Sequence, residues 1–277
     1  MPKTTDVLFT GNDMKLLVLF LHYDSTKYPR AYECLREYIA SIDGIEWTVF
    51  RIDNKIPFSG VTLSEDGSYT MGGDNSCWEF SGWALGLEQA KALYPHADGA
   101  LIVNDAFEVN KTSFLRDINA SYIRTMLKLN IPIGRMAKLH HPGYIYDQSV
   151  SRWFRSNCII IPMSCLNSLQ FTSVDQDGIN QFIDEQFQGN YFKPSAPISL
   201  SIQKHILEWL SVKWHSAFCL DKNWDLYRNK TRAILNEFLL SQQIFKHSFI
   251  AFDHKSIPHF AMWHLFRALV KKAFGKE

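Results

Sequence analysis

Two short, unbroken apolar runs, each ending abruptly in polar residues, constrain this chain most. Lys15-Leu-Leu-Val-Leu-Phe-Leu-His22 gives way to Tyr23-Asp24, and Gly99-Ala-Leu-Ile-Val103 gives way to Asn104-Asp105. A strand with one face in water alternates apolar and polar residues, so a run without alternation must be covered on both faces. The run over residues 16–21 is far too short to cross a bilayer. Between the two runs, residues 32–42 place Leu35, Tyr38, Ile39 and Ile42 at helical spacing, and the β-rich residues 47–52 close on Asp53-Asn54. Residues 57–73 hold four glycines and read as a loop with a small hairpin, and residues 79–93 read as a helix with Trp83, Leu87 and Ala90 on one stripe. Strands alternating with helices over short connections predict an α/β fold, a mainly parallel sheet flanked by helices.

The second half is less regular. Residues 112–129 read as a helix, 131–137 as a strand, His140-His-Pro-Gly-Tyr144 as a turn, and 157–162 as a further short buried strand. Beyond Pro197 the pattern turns to long helices, at residues 200–214, 224–245 and 258–274, each with apolar residues three and four apart. This predicts a domain over residues 1–195 and a C-terminal helical extension over 196–277.

Charge narrows the function. With 29 Lys+Arg against 28 Asp+Glu the chain is neither a globally basic nucleic-acid binder nor an acidic disordered segment. Lys3, Asp6, Asp13 and Lys15 interrupt the first residues before any signal-like apolar stretch, and the five cysteines form no CxxC pair. Both features point to the cytoplasm, where thiols stay free.

Open α/β sheets bind ligands outside the carboxyl ends of their strands. Here those ends are His22-Tyr23-Asp24, Asp53-Asn54 and Asn104-Asp105. An Asp ending a second strand can accept hydrogen bonds from a base or ribose, and one ending the next can face a diphosphate. No GxGxxG after a strand, no GxxxxGK[ST], no GxSxG and no HExxH occurs, so dinucleotide, P-loop, hydrolase-elbow and zinc-protease chemistry lack their main support.

Arg51-Ile-Asp-Asn54, then Asn75-Ser-Cys-Trp-Glu-Phe-Ser-Gly-Trp-Ala-Leu-Gly-Leu-Glu-Gln-Ala90, then Asp98-Gly-Ala-Leu-Ile-Val-Asn-Asp-Ala106 keep an order and spacing of their own. Over residues 15–165 this resembles the nucleotide-sugar half of family 2 glycosyltransferases, enzymes of GT-A fold that in bacteria build O-antigen, rhamnan and capsule chains. The resemblance implies a nucleotide-sugar donor and a glycan or lipid-linked acceptor. It assigns Asp53, Asn54, Asn75, Glu79, Asn104 and Asp105 to the donor site, with Arg135 and Arg155 available to the diphosphate. It implies Mg2+ or Mn2+ at Asp105. The usual last metal-binding Asp is replaced by Ala106, with Glu108 as the nearest stand-in. The base that removes the acceptor proton is expected in the acidic stretch after the 157–162 strand, at Asp177 or Asp184.

Within the donor site Asp53→Ala and Asp105→Ala are expected to weaken nucleotide binding with little change in stability. The segment around Trp78 and Glu79 reads either as a sugar pocket or as a helix start capped by Asn75 or Ser76. The last helix carries Phe260, Trp263, Phe266, Leu269, Val270 and Phe274 beside Arg267, Lys271 and Lys272. It suits either the inner face of an anionic cytoplasmic membrane or its own protein. Two rival functions are a catalytically inactive relative that binds glycan or an assembly partner, and a Rossmann-type methyltransferase using Asp53 for a ribose.

Overall fold

The computed structural model describes residues 14–110, 118–214, 220–247 and 252–253. The segment 258–274 and residues 112–117 of the expected helix over 112–129 lie outside them.

The chain forms one eight-stranded mixed sheet. Its strands are β1 (Met14–His22), β2 (Ile45–Asp53), β3 (Val61–Leu63), β4 (Tyr69–Gly72), β5 (Gly99–Asn104), β6 (Ile133–Ile145), β7 (Gln148–Pro162) and β8 (Phe252–Asp253), in the order β3-β4-β2-β1-β5-β7-β6-β8. Pairing is parallel between β1 and β2, β1 and β5, β2 and β4, and β6 and β8, while β3 and β7 run against their neighbours. The sheet is therefore mostly parallel, as expected, with a reversed strand at β7. The expected hairpin is β3–β4.

Both apolar runs are buried on both faces, and alternate residues feed different layers. Val18 and Phe20 of β1, with Leu101 and Val103 of β5, pack against Leu35 of α1 (Ala31–Ala40) and Ile123 of α4 (Ala120–Lys128). On the other face Leu17, Leu19 and Ile102 meet Phe80, Trp83 and Leu87 of α2 (Glu79–Leu93). Two glycines let α2 approach. A Cβ at Gly82 would lie 2.4 Å from Leu21 Cδ1, and one at Gly86 would lie 2.4 Å from Cδ1 of the fully buried Ile52. Gly86→Val should therefore cost about 1–3 kcal/mol by overpacking, visible as a lower denaturation midpoint at unchanged slope.

The helices after residue 196 do not stand apart. α6 (Leu200–Glu208) continues into a π-helical turn (Trp209–Trp214), and α7 (Leu220–His247, broken at Asn223) lies along β7. Ala233, Leu240 and Ile244 of α7 share a hydrophobic cluster with Leu17 and Trp83, while Leu235 and Phe238 share another with Val150 and Trp153 of β7. The described helices of the expected extension thus share the core of the sheet.

Further differences come from β6 and β7, which run far beyond the expected residues 131–137 and 157–162. Pairing passes from Gly134 opposite Ile159 to Met136 opposite Phe154, so residues 155–158 face Arg135 alone. A second shift runs from Lys138 opposite Arg152 to Gly143 opposite Val150. His140-His-Pro142 is therefore a bulge inside β6, not the expected turn, and it absorbs a proline that could not donate to the ladder.

Candidate functional site

A cavity of about 670 Å3 opens beyond the carboxyl end of β5, where Asn104 and Ala106 form its floor. The first bulge pushes Arg155, Ser156 and Asn157 into it opposite Arg135, and the second brings in His140 beside Lys138. Glu79 enters from the first turn of α2, His205, Glu208 and Trp209 from α6 and the π-helical turn, and Lys230 and Glu237 from α7. Bulges commonly re-aim side chains beside a site, and this one is built from two of them.

Ser156 links two of the carboxylates. Its amide donates to Glu237 Oε1 at 2.6 Å, and its hydroxyl donates to Glu79 Oε1 at 3.4 Å. Burial pushes the Glu237 carboxyl above its ordinary range, with Glu79 adding to the rise, against the hydrogen bonds of Ser156 and the charge of Lys230. The side-chain oxygens of Asn104 and Asn157 are buried and accept no hydrogen bond within the described residues. Buried acceptors are normally paired, so two orphaned amide oxygens in one polar cavity point to hydroxyl or amine donors of a ligand.

Of the residues expected from sequence, Glu79, Asn104, Arg135 and Arg155 come together in this cavity. Asp53 lies elsewhere. Its Oδ1 accepts the Lys55 amide at 2.9 Å, stands 3.8 Å from His22 Nδ1, and borders a second cavity of about 330 Å3 with Phe20 and Arg51. Asn54 and Asn75 serve the backbone. Asn54 is 3% exposed, and its Nδ2 donates to Asn75 Oδ1 and to the Trp78 carbonyl, both at 2.9 Å, tying the end of β2 to the start of α2.

The start of α2 also differs from expectation. Neither Asn75 nor Ser76 caps it. Trp78 precedes the helix at φ +53°, and Ser81 Oγ accepts the Cys77 amide and donates to the Trp78 carbonyl. A bulky residue at positive φ is uncommon and held only by its surroundings.

Asp105 is not placed as a cation ligand. Its Oδ2 accepts the amides of Tyr23 and Asp24, each at 2.8 Å, which staples the loop after β1 to the end of β5. Glu108 Oε2 accepts the Arg30 amide at 2.9 Å. No group of three His, Cys, Asp or Glu side chains able to hold a metal ion occurs among the described residues. Among the described residues this strand end thus offers no cluster of side chains to hold a divalent cation.

Asp177 and Asp184 line neither cavity. Asp177 is exposed at the head of a short 3-10 turn, and Asp184 pairs with Lys193 at 3.1 Å. The segment carrying them is pinned by buried arginines of α7, where Arg228 donates to Asn180 and Arg232 to Gln176. A carboxylate that does line the cavity is Glu237, which sequence reading missed. Its signal was present: one acid inside the otherwise uncharged stretch Ala233-Ile-Leu-Asn-Glu-Phe-Leu-Leu240, where an unpaired carboxylate would be costly.

Comparison with protein-family models, curated proteins and solved structures finds no match.

Proposed function

We propose that the chain is a nucleotide-sugar-dependent glycosyltransferase of GT-A-like fold, acting on a glycan or lipid-linked acceptor in bacterial surface-polysaccharide assembly. One observation carries this reading. At the carboxyl end of β5, Arg135 and Arg155 face the same cavity as Glu79, Glu237 and the unpartnered oxygens of Asn104 and Asn157. Guanidinium groups bind phosphate oxygens in paired hydrogen bonds. Amide oxygens and carboxylates accept from sugar hydroxyls.

In this reading the acceptor hydroxyl oxygen bonds to the anomeric carbon while the bond from that carbon to the diphosphate breaks. The diphosphate leaves with the electron pair, and the hydroxyl proton passes to Glu237. A carboxyl raised by burial is the better base, because its proton affinity lies nearer to neutral pH. A lipid-linked acceptor would bring the protein to the inner face of the cytoplasmic membrane. Among the described residues no helix is long and apolar enough to cross one.

Calorimetric titration with nucleoside diphosphates and with S-adenosylmethionine tests the reading. Nucleoside diphosphate should bind, and Arg135→Ala with Arg155→Ala should weaken it by about tenfold or more. Binding of S-adenosylmethionine alone would replace this reading with the methyltransferase. The commitment of Asp105 to backbone amides favours one rival, an inactive relative that holds glycan in the same cavity. That rival predicts nucleotide or glycan binding without turnover.

A further inference from the structure

We infer that the positive charge which a GT-A-like site would take from a divalent cation is supplied here by the ammonium of Lys230, fixed in a box of three indoles. This rests on the nucleotide-sugar reading of the cavity.

The box is built by two unusual pieces of backbone. Trp209 and Trp214 are five residues apart, a spacing that would send them to different sides of an α-helix with 3.6 residues per turn. The π-helical turn, with its i→i+5 repeat, brings them together instead, ring centroids 5.8 Å apart and planes only 24° from parallel. Trp78 closes the third side 6.2 Å from Trp214, projected there from its positive-φ backbone at the head of α2. The Lys230 Nζ lies 4.9, 5.2 and 5.7 Å from the ring centroids of Trp78, Trp209 and Trp214.

A surface lysine samples many rotamers and keeps its hydration. Three aromatic faces around one ammonium restrict its rotamers, strip part of its water and hold the charge by attraction to the ring quadrupoles. A preorganised charge stabilises developing negative charge better than a mobile one, because nothing has to reorganise as the reaction proceeds. Lys230 lines the same cavity as Asn104, Arg135 and Arg155. The carboxylates that would have held a metal, Asp105 and Glu108, are bonded to the amides of Tyr23, Asp24 and Arg30. One oxygen of each of these carboxylates is thus committed to the backbone while the Lys230 ammonium lines the cavity, and the leaving diphosphate meets Lys230, Arg135 and Arg155.

The test is calorimetry on the full chain with inorganic pyrophosphate and with nucleoside diphosphates, in EDTA and again with manganese. The proteins compared are wild type, Lys230→Met and Lys230→Arg, each checked by a thermal melt. Both probes should bind in EDTA, and manganese should change affinity by less than about threefold. Lys230→Met should weaken binding by about tenfold, with Lys230→Arg retaining most of it and all melts similar. Equal binding by Lys230→Met and wild type would overturn the inference while leaving the nucleotide reading intact. So would a gain of about tenfold or more on adding manganese. Failure of both probes to bind under either condition would remove the nucleotide reading and this inference together.

Discussion

Glu237→Gln should abolish transfer and at the same time stabilise the protein. In the proposed reaction Glu237 receives the acceptor proton, a role expected to be worth about a hundredfold to ten-thousandfold in rate. Its amide replacement keeps the oxygen that accepts the Ser156 amide but cannot take a proton. The stability effect follows from the raised carboxyl. A carboxyl whose folded pKa lies above its unfolded value contributes stability below the unfolded pKa and loses it as pH rises through the folded one. Wild type should therefore lose this contribution as pH rises above the ordinary glutamate range, where glutamine loses nothing. The melting temperature of Glu237→Gln should exceed that of wild type by more at pH 8 than at pH 4. A carboxylate kept only for structure would give the reverse, a variant no less active and no more stable.

The second large effect is at Asp105, and it corrects the expectation that its removal leaves stability nearly unchanged. Asp105 is 7% exposed and accepts two amides through one carboxylate oxygen. Asp105→Ala leaves the Tyr23 and Asp24 donors without that partner, at a cost of about 2–4 kcal/mol. For a chain of this size that lowers the melting temperature by roughly 5–10 °C. Asp105→Asn, whose side-chain oxygen can still accept both amides, should recover at least half of the loss. A thermal melt of the three proteins decides it. Equal melting temperatures would show that the staple contributes nothing and would reopen Asp105 as a ligand-facing carboxylate.

What could be read from the residues alone tracks how local the cause is. β1, β5 and α2 were legible because uninterrupted apolar runs and a helical stripe leave few alternatives, and α2 runs over the expected residues 79–93. Gly86 and Ala90, noted only as part of a helix pattern, turn out to be where α2 meets the sheet at Ile52 and its neighbours. The bulges of β6 and β7 were not legible, because a slipped register leaves no period in the sequence and is set by what packs above it. His140-His-Pro142 looked like a turn for the same reason: proline breaks a ladder whether the chain reverses or merely bulges.

The candidate site shows the same division. Glu79, Arg135 and Arg155 were found through the family resemblance, and Asn104 because it ends an apolar strand. Asp105 stands there as well, yet its carboxylate faces the backbone, which residue type and position cannot reveal. Lys230 and Glu237 were missed because they reach the cavity from α7, and Lys230 already lies 73 residues beyond Asn157, the last cavity residue of the sheet. Only the docking of that helix on β7, through Phe238 against Trp153, brings them into place.

In the proposed function the cavity between β5, the β6–β7 ribbon and α7 holds the diphosphate of a nucleotide-linked donor. A crystal structure of the full chain grown with a nucleoside diphosphate tests this most directly. The diphosphate is expected between Arg135, Arg155 and the Lys230 ammonium, with ligand hydroxyls or amines on the oxygens of Asn104 or Asn157 and Lys230 still among its three indoles. A nucleotide bound away from these residues, or its diphosphate held through a cation on Asp105 with the Tyr23 and Asp24 amides released, would contradict it.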